Sequence, residues 1–115
     1  MDNPNYMVLK LEGNLDTYTA SQVETPFYAK VGAAKAGKDI VVIDLKEVSF
    51  LSSLGIRILF TTAKMLKKRA IPCAFLQPSA EVALSALELS GINTSVPSYA
   101  TLEEAKQKFP ISINS

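Results

Sequence analysis

Two adjacent hydroxyls, Ser52 and Ser53, sit in the stretch EVSFLSSLGIRILF from Glu47 to Phe60, where a strand-like run gives way to a glycine and a helix-like run. Such a pair can be a nucleophile, a phosphate acceptor, part of an anion-binding loop or a helix cap. A serine nucleophile needs a base to take its proton, usually His and sometimes Lys, and this chain has 0 histidines. The stretch also lacks the first glycine of a G-x-S-x-G elbow, and nothing local proposes a lysine in place of the missing base. No enzymatic activity is expected. With no histidine, a single cysteine and scattered carboxylates, neither a metal site nor a cofactor is expected. The glycines and lysines of VGAAKAGK, Val31 to Lys38, precede a strand and lack phosphate-loop spacing, so they read as a helix end. What remains for Ser52 or Ser53 is the start of a helix, where unpaired N–H groups and the positive dipole end favour a side-chain oxygen or a phosphate.

The elements that must hold these serines alternate along the chain. Met7, Leu9 and Leu11 recur at period two, which predicts a strand over Tyr6–Glu12. Thr19 followed by Gln22 is a capping-box pattern opening a helix that runs to about Lys35. Pro26 falls inside it, so a start with Thr25 as cap and Pro26 in the first helical position stands as an equal alternative. Ile40, Val41, Val42 and Ile43 are consecutive, as in a strand covered on both faces, here Asp39–Leu45. Leu54, Ile58, Leu59, Thr62, Met65 and Leu66 recur at helical spacing through Arg69, and a short strand follows over Pro72–Leu76. Ser79 caps a third helix, Ala80–Ser90, stopped by Gly91; a weak strand is expected over Ile92–Val96. Thr101 and Glu104 form a second capping box, opening a helix with a Leu102, Ala105, Phe109 stripe that Pro110 ends. The order β-α-β-α-β-α-β-α predicts an α/β fold with a largely parallel sheet of about four strands and four helices packed on it.

At 115 residues and 48% hydrophobic content, the chain supports one core, so residues 1–115 are read as a single domain. A formal net charge of +1 gives no field to collect nucleic acid. The densest basic cluster, KMLKKR from Lys64 to Arg69, reads as a solvated helix face. Cys73 cannot form an internal disulfide and reads as a small core residue. The start MDNPNY has no secretory pattern and no apolar run is long enough to cross a bilayer, so a soluble cytoplasmic protein without membrane insertion is expected.

Three stretches, GNLDTYTA, IVVIDLKEVSFLSSLGIRIL and ALELSGI, in this order and spacing, resemble the STAS domain shared by sulfate transporters and bacterial anti-sigma-factor antagonists. The resemblance runs from about Tyr6 to Phe109, and its middle stretch is the specific part. It implies a non-enzymatic module whose loop before the second helix, with that helix, docks on an anti-sigma factor that is also a serine kinase, relieving inhibition of a sigma factor. Phosphorylation in that loop blocks docking by charge and bulk, the partner switch. The family loop reads Asp-Ser-Ser/Thr-Gly and the residue before the glycine is phosphorylated. Here Ser52 stands in the aspartate position, Ser53 matches the first serine, Leu54 occupies the acceptor position and Gly55 matches the glycine. Leucine accepts no phosphate, so the switch is either missing or moved to Ser53 or Ser52. The resemblance implies partner contacts at Ser52, Ser53, Leu54, Gly55 and Arg57, with Asn14, Asp16 and Thr19 as a polar rim. Within that reading Ser53 caps the helix and Gly55 permits close approach. An alternative of another class is a STAS-type ligand sensor or a subunit of a membrane transporter complex. Many relatives carry one more strand before Tyr6–Glu12; here that strand is expected at a sheet edge, where a second copy can add to form a homodimer.

Overall fold

In a computed structural model, residues 4–108 are described. Period-two and consecutive apolar runs form β1 (Asn5–Leu15), β2 (Asp39–Leu51), β3 (Cys73–Leu76) and β4 (Ser98–Tyr99). Between and after them lie α1 (Thr17–Gly32), α2 (Ser53–Lys68), α3 (Glu81–Leu89), a 3₁₀ turn (Ile92–Thr94) and α4 (Leu102–Lys108). The strands lie in the order β1-β2-β3-β4, and every neighbouring pair is parallel. The expected α/β architecture is therefore correct.

Alternation along β2 divides the interior in two. Val41 and Ile43 join Phe75 and the apolar faces of α1, α2 and α3 in the main core, whereas Ile40 and Val42 point the other way, towards Leu76 and Ala105 of α4. Ile40 through Ile43 are all within 1% of full burial, which explains why that run has no polar break. β1 lies at the sheet edge as expected; Lys10 on it pairs with Glu47 at 2.8 Å and Glu12 at 3.7 Å, the kind of charge that discourages strand addition.

Several boundaries differ from expectation. β1 and β2 run on to Leu15 and Leu51, pairing to the end through two register shifts in which β2 carries the extra residue. Gly13 sits at φ 81° between them, a conformation in which a Cβ would be strained. α1 starts at Thr17 because Asp16, and not Thr19, is its cap: the Asp16 carboxylate accepts from the Thr19 N–H at 2.8 Å. Pro26 lies inside a continuous α1, so Thr25 caps nothing. Ala20, Phe27 and Val31 face the core while Pro26 and Gln22 are exposed, so the carbonyl deprived of an N–H partner meets water.

At α3 the cap position is Ala80, without a side-chain bond, and the Ser79 N–H instead donates to the Lys46 carbonyl at 3.2 Å. The strand expected over Ile92–Val96 is the 3₁₀ turn and its exit. Gly91 at φ 82° starts it, and the buried Ile92 and Val96 anchor it; the last strand comes two residues later. Of the second capping box the forward half is present, with the Thr101 hydroxyl accepting from the Glu104 N–H at 3.1 Å, while the Glu104 carboxylate accepts from the N–H of Ala100 at 2.9 Å instead of that of Thr101. Phe109 and Pro110 lie outside the described residues. No helix among the described residues is long and apolar enough to cross a membrane.

Candidate functional site

Parallel strands place every strand-to-helix junction at one end of the sheet, and the first two are neighbours because β1 and β2 pair through Leu15 and Leu51. The Ser52 N–H donates to the Leu15 carbonyl at 3.0 Å, which joins the two junctions directly. α1 and α2 thus start side by side, with Asn14 opposite Phe50, Asp16 capping α1 and Thr19 in its first turn. Asn14 is exposed; Asp16 and Thr19 are half-buried.

Within the loop the two serines have different work. Ser52, and not Ser53, caps α2: its backbone is extended and its hydroxyl accepts from the Gly55 N–H at 3.2 Å. Ser53 is the first helical residue, exposed, and its hydroxyl makes no hydrogen bond among the described residues. Leu54 is half-buried and packs against the main core. Gly55 is buried where a Cβ would stand 3.3 Å from Leu51 Cδ2 and 3.5 Å from the Leu15 carbonyl, so the chain itself packs closely against it.

Arg57 is exposed yet engaged, reaching across to α1, where its guanidinium pairs with the Glu24 carboxylate at 3.3 Å. The Tyr28 hydroxyl donates to the same Glu24 oxygen at 3.1 Å, and burial raises the Tyr28 phenol above its ordinary range. The sequence assigned nothing to Glu24 or Tyr28: the Arg57–Glu24 pairing spans 33 residues and leaves no local signal, while the Tyr28–Glu24 bond is a local one, four residues apart, that was not read. Also unassigned was Tyr18 in the first turn of α1, 73% exposed; Phe50, two residues before Ser52, is 41% exposed. These aromatics give the junction end of the sheet an apolar component beside its hydroxyls. No group of three potential metal ligands forms among the described residues.

The family model described as STAS domain matches residues 2–105. No curated protein matches the chain. Among solved structures, the chain is similar to an anti-sigma factor antagonist from Mycobacterium paratuberculosis, with 28% identity, a TM-score of 0.76 and coverage of 93% of this chain and 87% of that one. It is similar in fold to the anti-sigma factor antagonist SpoIIAA in its unphosphorylated form, at 21% identity and TM-score 0.68 over 94% and 90% of the two chains. A further likeness of fold is to the STAS domain of a SulP transporter from Vibrio cholerae, at 20% identity and TM-score 0.67 over 99% and 88%.

Proposed function

From the premise that the chain belongs to the STAS domain family, we propose that it is a non-enzymatic partner-switching module of transcription control. It docks on an anti-sigma factor with serine-kinase activity through the junction end of its sheet and so relieves sigma inhibition. The observation that carries this is the pairing of a family match over residues 2–105 with two adjacent helix starts bearing Ser52, Ser53 and Gly55. The likeness to a 28%-identical anti-sigma factor antagonist and the exposed aromatic anchors both support it. Tyr18 and Phe50 are the contacts expected to contribute most, since aromatics dominate the few residues that carry interface affinity.

Leu54 leaves the family's acceptor position without a hydroxyl. Ser53 is the replacement the geometry favours: it is exposed and unengaged, whereas the Ser52 oxygen already serves the Gly55 N–H. A phosphate on Ser53 would sit at the start of α2, where the dipole favours it, and would place about two negative charges on the docking face without melting the helix. Arg57, exposed on α2 while paired with Glu24, is a further contact expected on the docking face. A second copy adding to the β1 edge is also part of the proposal; a monomeric mass in dilute sedimentation would remove it.

The test is recovery of the tagged chain from its native cells with its partners, together with phosphosite mapping of Ser52 and Ser53. Co-purification of an ATPase-type serine kinase is expected, as is phosphate on Ser53. Tyr18→Ala and Phe50→Ala should each weaken that complex about tenfold. A transporter as sole partner, with unmodified serines and no effect of the aromatic variants, would overturn the switch in favour of the transporter-subunit reading.

A further inference from the structure

At the far end of α2 from the serine loop lies a cavity of about 650 Å³, well inside the range of about 300–1,000 Å³ common to small-molecule sites. One wall is a single stripe of α2, in which Phe60, Ala63, Lys64 and Lys67 follow each other at helical spacing. The opposite side comes from the strand entry and the 3₁₀ turn, including Ile71, Ile92 and Val96, each no more than 4% exposed. Two of the lysines that the sequence left as a solvated face therefore stand beside an apolar hollow.

The lining decides what would fit. It contains no acidic side chain and no Asn or Gln, and apart from the two lysines its only hydroxyl is that of Ser95, so a ligand with polar atoms along its length would be desolvated with few partners. Cys73, also on the wall, adds no charge, because burial pushes its thiol up to about 12. Lys64 and Lys67 are exposed, and neither makes an ion pair among the described residues. An unbranched apolar tail with an anionic head satisfies both halves of the site. We propose that this cavity binds an amphipathic carboxylate, an acyl chain lying against Phe60, Ile71 and Val96 with its head group between Lys64 and Lys67.

The experiment titrates the full chain with decanoate below its micellar range, and with decanol as the uncharged counterpart, following backbone amide resonances. Saturable one-to-one binding of decanoate is expected, with the largest shifts in the second half of α2 and the 3₁₀ turn. Lys64→Glu combined with Lys67→Glu should weaken decanoate by at least about tenfold and leave decanol unchanged. Ala63→Phe, which fills the hollow, should abolish both. Lack of saturation in the folded wild-type chain would overturn the proposal, as would decanoate affinity indifferent to both the charge reversal and the filling. Ser53→Asp should leave decanoate binding unaltered; a loss there would assign the ligand to the loop instead of the cavity.

Discussion

One position separates Ser52 from Ser53, yet only the first closes an otherwise unpaired backbone donor of α2. The cost of removing the two hydroxyls should therefore differ. Ser52→Ala is expected to lower unfolding free energy by about 1 kcal/mol, the ordinary value of a serine cap, while Ser53→Ala should stay within about 0.5 kcal/mol. Urea denaturation checks both, and equal losses would mean that the cap is shared. The sequence showed that a helix starts at this pair but left open which residue caps it; the family resemblance favoured Ser53. The missing information was nonlocal: β2 runs on to Leu51 because it pairs with Leu15 of another strand, and that pairing decides where the helix can begin. Gly55 was legible only through the family resemblance: of the groups that crowd it, Leu51 is local but Leu15 belongs to another strand.

The ends of α2 show how an element can be well predicted and still hold a local conflict. Its apolar spacing fixes its length, and after Lys68 it closes with two bonds, Ala70 N–H to the Lys67 carbonyl at 3.0 Å and Ile71 N–H to the Leu66 carbonyl at 2.9 Å. That pairing demands a left-handed residue between the helix and Ile71, a position usually held by glycine. Here it is Ala70 at φ 57°. Ala70→Gly should therefore stabilise the fold by about 1 kcal/mol, the lower end of the left-handed penalty for a residue with a Cβ, seen as a higher urea midpoint at unchanged slope. No change would mean that the added freedom of glycine in the unfolded chain cancels the relief. Arg69, one residue earlier, donates to the Gly32 and Ala34 carbonyls at the end of α1. With Arg57 bound to Glu24 near the other end, α1 and α2 are tied at two levels. Neither tie was readable, because each joins residues more than 30 positions apart. The same reason hid the 3₁₀ turn, where the burial of Ile92 and Val96 overrode a strand-like run.

For the molecule as a whole, closure of the sheet edge depends on Asp39. This buried carboxylate starts β2 and accepts from Asn5 Nδ2 at 2.9 Å and from the Lys35 N–H at 2.8 Å, so it holds the edge strand and the exit of α1 to the central strand. The bond from Asn5, then that from Lys35, keeps its acid constant below the usual carboxylate value. A folded constant below the unfolded value of about 3.9 gives stability that is complete above the unfolded value and is lost as pH falls through the folded one. Glu47 and Glu104 are lowered as well, by Lys10 and by the Ala100 N–H, and act in the same direction from the surface. Asp39 is the one among them that is buried and spans three segments. Asp39→Asn should therefore be less stable at neutral pH, because an amide offers one acceptor where two donors point. Its stability should also fall less steeply below about pH 5, so that the two proteins converge in acid. Thermal unfolding across that range reads both effects. A variant destabilised at pH 7 but parallel to wild type in acid would mean that Asp39 is needed for its shape and that Glu47 and Glu104 set the acid limb.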